Sequence, residues 1–106
     1  MTNVLINAPK TARKGEVIEL KALILHPMET GFRPGTNGSI IPRNIIERFT
    51  ASWNGAEILR MDLSPAIAAN PFVSFFAVAT ESGRITFRWT GDEGFAVEES
   101  VAIDVA

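Results

Sequence analysis

Apolar and polar residues alternate along several short segments of this chain, and this alternation constrains the fold most. In residues 84–90 the apolar Ile85, Phe87 and Trp89 occupy every second position, and residues 48–53 follow the same rule. A period of two places the apolar side chains on one face of a β-strand. Asn54-Gly55 follows the second segment directly and is the strongest short signal for a β-hairpin turn. The pattern therefore predicts antiparallel strands.

The alternation also predicts which side chains face the core. The inward set comprises Phe49, Trp53, Ile85, Phe87 and Trp89, and the solvent-facing set comprises Arg48, Thr50, Ser52, Arg84, Thr86 and Arg88. Similar alternation occurs in residues 15–24 and 95–105, and few helix signals are present. We expect an all-β fold, an immunoglobulin-like antiparallel β-sandwich of about seven strands, in one domain spanning residues 1–106. The chain has no cysteine and thus no disulfide.

Three features interrupt this pattern. Residues His26 to Pro42 contain three prolines and three glycines, which predicts one long loop, and loops of this length are often functional. Residues Ser64 to Pro71 read as a short helical turn that Ser64 would cap. Glu99 falls on the apolar face of the last strand, which predicts a β-bulge or a strand end at that position.

Composition excludes several classes of function. A net charge of −2 argues against a protein that binds nucleic acid through its phosphates. No apolar run approaches the ~20 residues of a membrane-spanning helix, so no membrane partner is expected. The absence of cysteine excludes thiolate metal sites and a cysteine nucleophile. The N-terminus, which begins Met1-Thr2-Asn3, shows no pattern of a secretory signal.

The candidates for chemistry are few. His26, Met28 and Glu29 could together attract copper, and a small metal-dependent oxidase is the enzyme alternative. However, His26 is the only histidine, and the competing interpretation is that His26 and Glu29 form hydrogen bonds that shape the loop. The neighbouring carboxylates Glu98-Glu99 and Asp92-Glu93 are expected to be solvated charges. We therefore predict no catalytic residue, no cofactor and no metal site, and expect that the chain is not an enzyme.

Residues 72–79 are apolar on both faces, which is unusual for a strand in a two-layered sandwich. Val73, Phe75, Ala77 and Ala79 form an unbroken apolar row, so we assign that face to the core. The opposite face would then form an interface with another protein, since monomers seldom expose large apolar patches. The interfacial residues predicted in this way are Phe72, Phe76 and Val78, joined by Leu23 and Leu25. The alternative is that the long loop or the short helical turn covers this face.

The sequence also resembles a known family. The segments that carry the resemblance are Asn7-Ala8-Pro9-Lys10, Gly15-Glu16, His26-Pro27-Met28-Glu29-Thr30-Gly31, Ile41-Pro42-Arg43, Phe49, Asn54-Gly55 and Ala66-Ile67-Ala68-Ala69-Asn70-Pro71-Phe72. These segments resemble SoxZ, a subunit of the Sox thiosulfate-oxidation system. The most specific parts are the loop motif His26 to Gly31 and the turn at Ala68 to Pro71.

The resemblance implies a non-catalytic role in sulfur oxidation. Members of this family form a heterodimer with SoxY, whose Gly-Gly-Cys-Gly-Gly arm carries the sulfur substrate on its cysteine. The pair presents that arm to the other Sox enzymes, which implies transient contacts with them. The family works in the periplasm, and its members lack a signal peptide and are exported bound to SoxY. Without SoxY, we expect the apolar patch to form a homodimer or larger assembly. The alternative function is a generic β-sandwich binding or adhesion module.

Overall fold

The computed structural model describes residues 4–106, so the first three residues of the segment considered for a signal peptide lie outside the described part. The described chain forms eight strands: β1 (Val4–Asn7), β2 (Thr11–Ala12), β3 (Val17–Ile24), β4 (Ile46–Trp53), β5 (Ala56–Asp62), β6 (Phe72–Val78), β7 (Gly83–Gly91) and β8 (Ala96–Val105). One turn of 3-10 helix, Asp92–Gly94, lies between β7 and β8. No helix within residues 4–106 is long and apolar enough to cross a membrane.

The strands form two sheets that pack face to face. The smaller sheet has the order β1-β3-β6, and the larger has the order β2-β8-β7-β4-β5. Neighbouring strands are antiparallel, apart from the short parallel pair between β2 and β8. The predicted all-β sandwich is therefore confirmed, with eight strands where about seven were expected.

The core lies between the two sheets and is rich in aromatic rings. Phe49 stacks on Phe87 with ring centroids 6.2 Å apart, and its ring lies 5.1 Å from that of Trp89. All the side chains predicted to point inward from β4 and β7 are buried. The opposite set is exposed or half-buried: Arg48, Arg84 and Arg88 are exposed, and Thr50, Ser52 and Thr86 are half-buried. The alternation thus identified both faces of these strands correctly.

The Asn54-Gly55 turn has the predicted hairpin geometry. Both residues have positive φ, 49° and 85°, as the favoured two-residue hairpin turn requires. The Asn54 amide also donates to the Ser82 carbonyl at 3.1 Å and accepts from the Arg84 amide at 3.0 Å. The turn therefore joins the β4–β5 hairpin to the start of β7.

The expectation of a bulge or strand end at Glu99 was wrong. Strand β8 runs unbroken past this position, in regular register with β7, and Glu99 lies directly opposite Phe87. Glu99 is nevertheless exposed, because β2 pairs with β8 only at Asp104 and Val105 and leaves the rest of this edge open. An inward-facing carboxylate is tolerated here because the edge gives it access to water.

The long loop between β3 and β4 is more ordered than its composition suggested. Its two sides are joined by a pair of 2.8 Å backbone hydrogen bonds between Glu29 and Asn44. Further out, Ile41 donates to the Arg33 carbonyl at 2.8 Å, and an isolated bridge joins Pro34 to Ile40. The loop therefore folds back on itself as an irregular hairpin.

The segment from Ser64 to Pro71 forms a turn but contains no helix. The Ser64 carbonyl accepts from the Ile67 amide at 3.0 Å, and the Ser64 hydroxyl accepts from the Ala66 amide at 3.3 Å. The sequence therefore predicted the cap at Ser64 correctly, but the segment does not form a helix. Asn70, with φ of 55°, ends the turn in the left-handed region before Pro71.

Candidate partner interface

Strand β6 exposes the side chains that were predicted to lie away from the core. Phe72, Phe76 and Val78 are 59%, 68% and 52% exposed, whereas Val73 on the other face is buried. Phe75 also points inward, with its ring centroid 6.4 Å from Phe49. The assignment of the two faces is therefore correct, and neither the long loop nor the turn at 64–71 covers the outward one. Partner binding at this face remains a prediction.

The pairing of β1, β3 and β6 groups these side chains with others into one surface. We call the solvent side of the three-stranded sheet the outer face. Its members are Leu5, Asn7, Val17, Glu19, Lys21, Leu23, Phe72, Ser74, Phe76 and Val78. Leu5, Leu23 and Phe72 lie side by side across the three strands, and Val17 lies opposite Val78 at the far end. Leu25, which is exposed, follows β3 at the margin of this surface.

The outer face carries several large exposed apolar side chains. Leu5 and Val17 are 68% and 63% exposed, and neither was identified from the sequence. Leu23 is half-buried between its neighbours on β1 and β6. A shallow groove of about 210 Å³ is lined by Leu5, Leu23 and Phe72, together with Asn7 and Lys21. The surface thus has the composition expected of the centre of a protein–protein interface.

Two charged residues and a serine, with Asn7 beside them on β1, interrupt this apolar surface. The Ser74 hydroxyl donates to the Glu19 carboxylate at 2.9 Å. The Lys21 ammonium lies 3.8 Å from the other carboxylate oxygen of Glu19. The side chains of Glu19 and Lys21 are 42% and 43% exposed. Because they occupy consecutive outward positions on β3, they form a polar stripe between the two apolar ends of the outer face.

The loop motif that begins at His26 is held in place by the turn at 64–71. His26 is the one buried polar side chain within residues 4–106. Its backbone forms a reciprocal pair of hydrogen bonds with Asn70: the His26 amide donates to the Asn70 side-chain oxygen at 2.9 Å, and the Asn70 amide donates to the His26 carbonyl at 2.8 Å. The imidazole Nδ1 accepts from the Met28 amide at 3.0 Å, and the ring meets Phe95 edge-on at 4.9 Å.

Burial lowers the pKa of His26 below its ordinary value of 6.5, because desolvation disfavours the imidazolium. The Asn44 side chain and the Asp92 carboxylate act in the opposite direction but do not outweigh this effect. The neutral ring is also the form that accepts the Met28 amide, since an imidazolium has no free acceptor. His26 is therefore built into the fold as a neutral hydrogen-bond acceptor.

Several of the donor atoms that could have bound copper are already engaged. The Met28 sulfur accepts from the Ile46 amide at 3.2 Å, and Nδ1 of His26 accepts from the Met28 amide. Glu29 pairs with Arg33, which lowers the pKa of the Glu29 carboxyl. No group of three or more histidine or acidic side chains in the described residues could hold a metal ion. The geometry thus favours the interpretation in which this motif shapes the loop.

The other motif residues complete the loop. Pro27 is exposed, and the Thr30 hydroxyl accepts from the Phe32 amide at 3.3 Å. Gly31 has φ of 89°, and a Cβ at this position would lie 3.1 Å from that of Arg43. Gly31 therefore allows the two sides of the loop to approach closely, and the Thr30 hydroxyl holds the turn beside it.

The acidic pairs considered as catalytic candidates have separate structural environments. Arg43 forms two hydrogen bonds with the Asp92 carboxylate, at 2.9 and 2.8 Å, and the Ile45 amide donates to the same carboxylate at 3.1 Å. These contacts lower the pKa of Asp92 and tie the end of the loop to the 3-10 turn. The expectation of a solvated charge is therefore wrong for Asp92. Glu98 lies opposite Arg88 and Glu99 opposite Phe87, so the two carboxylates point to different faces.

Sequence reasoning missed the residues that hold the loop from outside it. Asn70 and Asp92 are 44 and 47 residues away from their partners His26 and Ile45, and no local pattern indicates either contact. One usable signal was present for Asn70, because asparagine before proline favours a turn in which its side chain bonds to backbone groups.

Several solved structures share this fold. A superoxide reductase (neelaredoxin) from Ignicoccus hospitalis matches 99% of this chain and 82% of its own, with a TM-score of 0.77 and 18% identity. The sulfur carrier protein SoxY from Chlorobium limicola matches 97% of this chain and 78% of its own, with a TM-score of 0.68 and 12% identity. At these identities the likeness concerns the fold alone. A search of curated proteins found no match.

Comparison with protein families is more specific. The model of the family described as "Sulphur oxidation protein SoxZ" matches residues 6–102. The match begins in β1 and ends within β8, and it includes the outer face, apart from Leu5 of that set, together with the whole loop motif from His26 to Gly31. The chain therefore belongs to the SoxZ family of sulfur-oxidation proteins.

Proposed function

We propose that this chain is the partner subunit of a SoxY-type sulfur carrier, and that it binds that partner and helps present the carried sulfur to other Sox enzymes. Membership of the SoxZ family supports a role in the Sox system. The likeness to SoxY shows that one fold occurs in both proteins, and it supports the proposal only at the level of architecture.

The observation that carries the proposal is the exposed apolar outer face. Phe72, Phe76 and Val78 are each more than half exposed. Fully burying one phenylalanine side chain is worth about 1.5–3 kcal/mol, so a partner that covers these residues would gain substantial binding energy. Leu23 and Leu25 extend the same surface across β3 and past its end.

We further propose that the chain contributes no catalytic residue. It contains no cysteine, so the sulfur must be carried by a thiol of the partner. The single histidine is buried and serves as an acceptor for the Met28 amide. A subunit without a thiol is chemically suited to this role, because a second thiol beside the carried sulfur could react with it by exchange.

Periplasmic location, export together with SoxY and transient contacts with the other Sox enzymes also belong to the proposal. They rest on the family resemblance. Fractionation of cells that express the pair, with and without the partner's export signal, would test the first two.

Phe76→Ala tests the proposal through partner binding. We expect the variant to keep its fold by circular dichroism and to weaken binding to SoxY in titration calorimetry. Loss of a central anchor costs about 2 kcal/mol or more, which is roughly thirtyfold in the dissociation constant. Ile58→Ala is the matched control, because Ile58 is an exposed apolar residue on β5 of the other sheet and should leave binding unchanged.

Two outcomes contradict the proposal. Unchanged affinity of Phe76→Ala means that the partner binds elsewhere. Equal weakening by Ile58→Ala means that the loss is not specific to the outer face.

A further inference from the structure

The polar stripe of Glu19, Lys21 and Ser74 lies within the surface that a partner must cover. Leu23 and Phe72 lie on one side of it and Val17 and Val78 on the other, while Phe76 lies directly opposite Glu19 within the stripe's own row. Residues on the same face of a strand recur about every 7 Å, so the two apolar ends are separated by little more than the stripe itself. A flat partner that contacts both ends therefore also covers the stripe.

The available apolar area is too small to form a stable interface without the stripe. Five side chains of the outer face are more than half exposed: Leu5, Val17, Phe72, Phe76 and Val78. Side chains of this size and exposure present roughly 100 Å² each, so together they present roughly 500 Å². A stable interface buries about 800 Å² on each partner. The remainder must come from neighbouring residues, and along β3 and β6 the stripe lies between the apolar ones, with Asn7 of β1 beside Lys21.

Covering the stripe removes water from two charges that satisfy each other only in part. Glu19 receives one hydrogen bond, from Ser74, while its distance of 3.8 Å to Lys21 is too long for a second one. Both side chains now have more than 40% of their surface in contact with water. A charge that loses water without gaining a partner strongly weakens association. The covering surface must therefore supply the missing hydrogen bonds.

We propose that the Glu19–Lys21–Ser74 stripe determines which partner the outer face accepts. The proposal rests on the proposed function and specifies the chemistry of the SoxY-type partner. That partner brings a sheet face with two apolar areas and, between them, a cationic or neutral donor group that reaches Glu19 and a carboxylate or carbonyl that reaches Lys21. A wholly apolar surface removes water from both charges without supplying the hydrogen bonds that they lack, and the stripe thereby discriminates against it.

The test measures binding of SoxY by Glu19→Gln, which keeps an acceptor for Ser74 but removes the charge. Titration calorimetry should show a dissociation constant raised about tenfold or more at low salt, because a close charge pair is lost across the interface. The dependence on salt should also become weaker than for the unmodified chain. The matched control is Glu57→Gln on β5, since Glu57 is also exposed and pairs loosely with Arg60 at 3.6 Å. The control should stay within about twofold.

Several results would overturn this inference. If Glu19→Gln binds as well as the unmodified chain, or more tightly, the partner offers nothing that recognises the carboxylate. If Phe76→Ala still weakens binding in that case, the proposed function stands and only the role of the stripe is lost. If Glu19→Gln alters self-association of the isolated chain but not binding of SoxY, the complementary surface is a second copy of this chain. Circular dichroism of each variant verifies that the fold is intact.

Discussion

At the scale of single residues, His26 shows how a buried polar group is compatible with a small core. Its ring nitrogen accepts the Met28 amide, and its backbone is paired with Asn70. Each of these groups would otherwise be left without a partner as the loop packs onto the sandwich, at a cost of about 1–3 kcal/mol for a buried group. The histidine therefore contributes to the shape of the loop motif from His26 to Gly31.

This role predicts a loss of stability at mildly acidic pH. The pKa of His26 is lower in the folded chain than in the unfolded chain, so below about pH 6.5 the unfolded chain binds more protons. The free energy of unfolding should therefore fall as the pH is lowered from 7 to 5. The carboxyls of Asp92 and Glu29, whose pKa values are also lowered, contribute mainly below about pH 5.

Urea denaturation at pH 7 and pH 5 measures this effect. His26→Asn is a suitable comparison, because its side-chain oxygen can accept the Met28 amide but does not titrate in this range. The variant should show a smaller change in stability between the two pH values than the unmodified chain. An identical change in both proteins would show that His26 is not the group responsible.

At the scale of secondary-structure elements, the two faces of β4 and β7 differ sharply in their contribution to stability. Trp89 is fully buried against Phe49, whereas Thr50 is half-buried on the other side of the same sheet. Trp89→Ala should lower the free energy of unfolding by about 3–5 kcal/mol. Thr50→Ala should lower it by about 1 kcal/mol or less, since only strand propensity and partial burial are changed. Chemical denaturation of the two variants in parallel checks this, and equal losses would contradict the assignment of faces.

The same elements show what sequence alone can predict. Alternation assigned Phe49, Phe87 and Phe75 to the core, because a strand turns successive side chains to opposite faces whatever its neighbours are. It could not predict that β2 leaves the edge of β8 open at Glu99, since that depends on which strands become neighbours. Nor could it predict the Arg43–Asp92 pair, whose members are 49 residues apart. Local rules are reliable for faces and turns, whereas contacts between distant segments require the topology.

The same limit applies to the candidate interface: residues within one strand could be predicted, whereas their neighbours on other strands could not. Phe72, Phe76 and Val78 could be identified because they belong to one strand that is apolar on both sides. Leu5 and Val17 were missed, since their place beside that strand depends on the pairing of β1 and β3. The polar stripe was missed for a similar reason, because Ser74 and Glu19 are brought together only by the register of β3 and β6.

At the scale of the whole molecule, the exposed outer face predicts self-association of the isolated chain. Without a partner, Phe72, Phe76 and Val78 remain in contact with water, and burial against a second copy removes part of that cost. Sedimentation analysis of the purified chain should show a dimer or larger species. Phe76→Ser should shift the distribution towards the monomer, and Ile58→Ser should not. A monomer at high protein concentration would contradict this prediction.

If the partner covers the outer face of the β1-β3-β6 sheet, it should protect a single thiol engineered there from chemical labelling. The chain has no cysteine of its own, so Val78→Cys and Ile58→Cys each create one reactive position on a different sheet. The rate of maleimide labelling is measured by mass spectrometry of this chain, with and without SoxY whose own thiol has been blocked. SoxY should slow labelling at position 78 strongly and leave position 58 unchanged. Unchanged labelling at position 78, or protection at position 58 alone, would contradict this coverage of the outer face.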